Sequence, residues 1–140
     1  MKAWLAALFL VASTVVVGCN GNVFSLKVGD CFNNTTTENV ADVSVVPCTD
    51  AHDDEVYLLA TYTPDSDTYP GVPAVQGFAA QACGNGFQSY VGDAYADSVY
   101  DVTALYPSSD SWGNGDRVID CLLDLKAGGQ ATGSGKGTNQ

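Results

Sequence analysis

Four cysteines spread through the middle of the chain, Cys31, Cys48, Cys83 and Cys121, constrain its fold more than any other feature. Paired as disulfides they allow three connectivities, and each bridge would remove unfolded-chain entropy worth roughly 3 kcal/mol. Zinc is the competing use of such residues. No pair has C-x-x-C spacing, however, and a single histidine supplies no second ligand motif. Disulfides are therefore expected, provided that the chain is exported to an oxidising compartment.

The N-terminus answers that condition. Lys2 is followed by an uncharged, mostly apolar run from Ala3 to Val17, then Gly18 and a fifth cysteine, Cys19. This is the form of a secretory signal, and the run is short for a membrane span, which needs roughly 20 apolar residues. Val16-Val17-Gly18-Cys19 resembles the lipobox of bacterial lipoproteins. Residues 1–18 are thus expected to be a lipoprotein signal peptide, with Cys19 lipidated as the first mature residue. A diacylglyceryl group and an amide-linked acyl chain such as palmitate supply the two or more hydrocarbon chains that stable anchoring requires. The expected location is the outer face of the cell membrane.

Removing 18 of the 140 residues leaves 122, with 16 acidic residues and 4 basic ones. Such a surface is repelled by phosphate backbones, which argues against nucleic acid as a partner. The length is that of one domain, and the apolar content is sufficient for a core. Residues 19–27 are expected to be the lipidated cysteine and a short tether, 28–125 a folded domain, and 126–140 (KAGGQATGSGKGTNQ) a disordered tail without apolar periodicity.

Within the domain, periodicity predicts strands near 28–32, 40–48, 55–62, 99–105 and 117–125. The last is the clearest, with Ile119, Cys121, Leu123 and Leu125 on one face and Asp120 and Asp124 on the other. Pro73 suits the first turn of a helix. Val75, Phe78, Ala79, Ala82, Cys83 and Phe87 then trace a buried helical stripe over about 73–90, weakened after Cys83 by Gly84 and Gly86. The order predicts an α+β fold: a small, mostly antiparallel sheet of about five strands, one helix packed on a face, and two disulfides. Cys83 and Cys121 both lie on apolar faces that would meet. The pair left over, Cys31 and Cys48, would tie the first two strands.

Several short motifs, Val28-Gly29-Asp30-Cys31-Phe32, Val46-Pro47-Cys48 followed by His52 and Glu55-Val56, the helical Cys83, Tyr106-Pro107, Trp112, and Gly115-Asp116-Arg117 leading to Cys121-Leu122, resemble the septum formation family of actinobacterial envelope proteins. The resemblance covers about residues 28–125. It implies an extracytoplasmic, membrane-attached, cysteine-containing domain associated by name with septum formation and cell division, and it transfers no catalytic residue.

The stretch from Val45 to Val56 concentrates the reactive side chains. His52 with Asp53, Asp54 or Glu55 could serve as a general base beside a serine or Cys48, giving an envelope hydrolase. The same residues could hold a metal ion. The plainer expectation is structural: His52 and Glu55 order the turn into the third strand, while Asp116 and Arg117 tie down the last strand beneath Trp112. No cofactor is expected. The function expected is that of a non-catalytic interaction module, with an envelope or divisome protein as partner. Whichever of Tyr62, Tyr69, Tyr90, Tyr95, Tyr100, Tyr106 and Trp112 are exposed offer cell-wall glycan as an alternative ligand.

Overall fold

The computed structural model describes residues 20–34 and 42–140. Its centre is a six-stranded sheet formed by β1 (Asn20–Asn22), β2 (Cys31–Asn33), β3 (Asp42–Val46), β4 (Asp54–Thr61), β5 (Tyr100–Leu105) and β6 (Val118–Leu125). The strands stand in the order β1-β3-β2-β4-β6-β5, and every pairing is antiparallel. A long helix, α1 (Val72–Val91), covers one face, and a short helix, α2 (Ser109–Gly113), precedes β6. This is the α+β fold expected, with a three-residue sixth strand added at the edge.

Helix α1 starts where Pro73 fixes the first turn and ends at Gly92, whose φ of 95° is the left-handed cap that glycine adopts without strain. Val75, Ala79, Cys83, Phe87 and Val91, each four residues apart, form its buried stripe. The helix runs unbroken through Gly84 and Gly86. A Cβ at Gly86 would stand 2.7 Å from a Leu58 methyl, so its absence lets α1 lie close on β4. Strand β4 has a register shift between Val56 and Leu58. Tyr57 and Leu58 thereby both serve the α1 side, while Val56 serves the other.

The core under α1 adds Tyr57, Ile119 and Leu123 to the helical stripe. Cys83–Cys121 staples α1 to β6 through it, and Cys31–Cys48 ties β2 to the turn after β3. A second, smaller core of Leu26, Phe32, Val43, Val56 and Leu122 lies on the opposite face. Among the described residues, the turn Val23–Ser25 lies against it at one end, through Val23.

Two expectations for the flanking segments are corrected. The tether is part of the fold: β1 pairs with β3 from Asn20 onward, Asn22 caps the following turn through the Phe24 N–H, and Leu26 is buried. The tail expected to be disordered is a strap across the α1 side. His52 and Ala131 exchange backbone hydrogen bonds, Gly133 N–H donates to the Cys48 carbonyl, and the Gly137 and Asn139 N–H groups reach the carbonyls of Tyr90 and Val91. Backbone hydrogen bonds and glycines, rather than apolar side chains, hold it. At Gly135 a Cβ would come within 2.9 Å of Leu123, a fit that hydrophobic periodicity does not register.

Candidate functional site

His52 is buried, and its Nδ1 donates to the Asp50 carbonyl at 2.9 Å, which holds the turn before β4. Glu55, equally buried, accepts from the Tyr90 hydroxyl at 2.7 Å, the Gly135 N–H at 2.6 Å and the Ser134 hydroxyl. Burial and then the Glu55 carboxylate push the Tyr90 phenol upward. The corner is therefore a junction of β4, α1 and the strap. Cys31, His52 and Glu55 do offer ligand atoms within 4.8 Å of one another. Cys31 is in a disulfide, though, and Glu55 is engaged by three donors, so this trio does not have the free thiolate and carboxylate that a metal would need. Cys48 is likewise oxidised and is not available as a nucleophile beside His52.

A second cluster gathers around Trp112, which is 3% exposed. The Arg117 guanidinium lies 3.6 Å over its ring and donates to the Trp112 and Asp116 carbonyls, while the Asp116 carboxylate accepts from the Val118 N–H. Trp112 Nε1 donates to the Asp67 carbonyl, and Tyr62 and Tyr69 pack edge-on against the indole. These aromatics spend their faces on one another and pin the loop between β4 and α1. Trp112 is no open stacking platform for a sugar; Tyr95 and Tyr106 remain exposed.

Four exposed apolar side chains, Phe24, Leu59, Tyr106 and Val118, gather around the sheet face that α1 does not cover. There a groove of about 980 Å³ runs between the Val23–Leu26 segment and the Tyr106–Asp116 region. Its floor is a cross-strand row. Asp120 on β6 stands opposite Leu59 on β4 and Leu105 on β5, with Val118 next on the same face. Phe24, 65% exposed, forms part of one wall, and Tyr106 and Asp116 belong to the other.

Asp120 is only 8% exposed, and among the described residues no hydrogen bond reaches its carboxylate. Burial, and then the charge of Asp116, push it up to about 6. Alternation places Asp120 on this face but does not single it out, because parity alone assigns a side without saying how deep the site is. The one available signal was a carboxylate set between apolar residues in an otherwise core-like strand, Val118-Ile119-Asp120-Cys121-Leu122.

The sheet, its two bridges and the strap belong to one continuous unit, and the sequence model of the family described as Septum formation matches residues 28–140. This chain belongs to the septum formation family. The match takes in the strap as well as strands β2–β6, in keeping with the hydrogen bonds that join them. The septum formation domain is also similar to two proteins named "Putative lipoprotein LppN", from Mycobacterium tuberculosis and Mycobacterium bovis. Each is 32% identical over 117 residues, covering 80% of this chain. The chain spans 63% of the length of these relatives. No solved structure matches it significantly. Among the described residues no helix is long and apolar enough to cross a membrane.

Proposed function

We propose that this septum formation domain is held at the outer face of the cell membrane by lipid on Cys19 and acts there as a non-catalytic interaction module in envelope assembly or division. The observation that carries the reading is the position of β1. Asn20, the residue after the lipobox cysteine, is already paired with Ser44, so a lipid on Cys19 would hold the domain itself against the bilayer. The relatives named as lipoproteins support the anchor, and the family description supports the process. Cys19 itself lies outside the described residues.

An interaction role is supported by the distribution of chemistry. The reactive residues of the His52 corner are committed to holding the fold, whereas the uncovered sheet face retains a groove. Replacing Cys19→Ala should move the protein from the membrane to the soluble fraction. An unchanged membrane fraction would refute the anchor. Crosslinking in cells with the anchored protein should capture an envelope protein, and fluorescence localisation should show enrichment at division sites; uniform distribution without a captured partner would count against the interaction role.

A further inference from the structure

We propose that the groove on the uncovered sheet face binds an extended segment of a partner protein, in which a lysine or arginine sits on Asp120 between apolar residues that rest on Leu59, Leu105 and Val118. The inference rests on the interaction role proposed above and names the partner's chemistry.

Three observations select a cationic segment. The first is charge: the Asp120 carboxylate lies on the groove floor, largely desolvated and with no hydrogen-bond partner among the described residues, so a cationic donor entering the groove would meet a weakly solvated negative charge. The second is that the described residues of the surrounding walls supply no counter-charge. The groups around it are Leu59 from β4, Leu105 from β5, Phe24 and Leu26 from the N-terminal segment, and Asp116, which adds a like charge. The basic side chains that the structure engages are occupied elsewhere. Arg117 lies on Trp112, and Lys126 donates to the Tyr95 and Ser98 carbonyls beneath the Tyr95 ring. The chain has 16 acidic residues against five lysines and arginines, which favours approach of a cationic partner.

The third observation is shape. The groove is open to solvent and large at about 980 Å³, so a small cation would leave most of it wet, whereas a chain segment can cover the apolar floor and place one charge on Asp120. Because burial and Asp116 raise the Asp120 carboxyl to about 6, the attraction should weaken as the pH falls through that value.

The test uses the full chain in phosphatidylcholine nanodiscs and two fluorescein-labelled seven-residue peptides. One carries a central lysine between leucines, and its twin carries norleucine in place of lysine. Fluorescence anisotropy should show the lysine peptide binding at least about tenfold more tightly near pH 7.5, with the preference reduced near pH 5. Asp120→Asn should erase the preference, while Asp97→Asn, an equal change of net charge in the exposed turn before β5, at the other end of that strand from Leu105, should retain it. Leu59→Lys, at a half-exposed position that should not disturb folding, should abolish binding of both peptides. Equal binding of the twins, or a preference that survives Asp120→Asn, would overturn the proposal. So would protection of residues 23–26 and 118–120 from hydrogen exchange by the nanodisc alone, which would assign the groove to the membrane, or groove-dependent self-association, which would assign it to a second copy. The Cys19→Ala chain, assayed without nanodiscs, separates the two readings. Peptide preference there depends on the groove only, and membrane release depends on the anchor only.

Discussion

The two faces of the sheet are built from the same strands and closed by different means. On one face α1 lays Val75, Ala79, Cys83, Phe87 and Val91 onto β4, β5 and β6, a disulfide staples the contact, and the strap seals the end at Glu55. On the other, among the described residues, Val23–Ser25 lies against a five-residue core, beside a groove with a carboxylate on its floor. Leu122 and Leu123, neighbours in β6, are both buried, yet one belongs to each core. Stability is concentrated on one side of the strand, and unsatisfied chemistry on the other.

That contrast is open to direct attack. Phe87→Ala removes the largest side chain of the α1 stripe, and a cavity in so closed a site should cost about 3–5 kcal/mol, seen as a fall in the midpoint of chemical denaturation. A cost below about 1 kcal/mol would mean that the α1 face is not the tightly packed one. Next in size is Glu55→Ala, which strands the donors of Tyr90, Ser134 and Gly135 and should cost about 2–3 kcal/mol. Hydrogen exchange should then accelerate in residues 131–139 before it does in β6; uniform acceleration would show that the strap is not a separate element.

Acidity probes the open face. Burial pushes Asp54 to about 6, in spite of the lowering hydrogen bond from Asn34, and Asp120 to the same value. Both carboxyls hold protons more readily folded than unfolded, so their ionisation opposes folding above about pH 6. As the pH falls from about 6 to 4 the folded chain takes up these protons, and stability should rise by roughly 1–2 kcal/mol per group. Asp120→Asn should remove its share of that rise; an unchanged pH profile would show that Asp120 is not desolvated. The smallest expected effect is that of Leu59→Lys, within about 0.5 kcal/mol of the parent by thermal melting. A large loss there would show that the groove floor belongs to the core.

The fold was legible wherever apolar side chains carried it. The alternation in Val118–Leu125, the stripe from Val75 to Phe87 and the paired faces of Cys83 and Cys121 all follow from side-chain periodicity. The strap was not legible, because Ala131, Gly133 and Gly137 act through backbone hydrogen bonds and Gly135 through the absence of a side chain. β1 escaped for a related reason: Asn20-Gly21-Asn22 has no strand-forming composition and is held by the edge of β3. At the groove, parity put Asp120 opposite the α1 face. It did not reveal that this face would be left partly uncovered, a matter of tertiary packing.

The pairing of Asn20 with Ser44 also has a mechanical meaning. A lipid on Cys19 would act as a pivot with a lever of one residue, about 3.5 Å long, instead of as a leash. Rotation about that pivot would change the tilt of the whole sheet but hardly its height, and the groove would sweep a narrow shell just above the headgroups. Any pull on a bound partner would pass through the β1–β3 edge into the bilayer, loading that edge lengthwise along its strands.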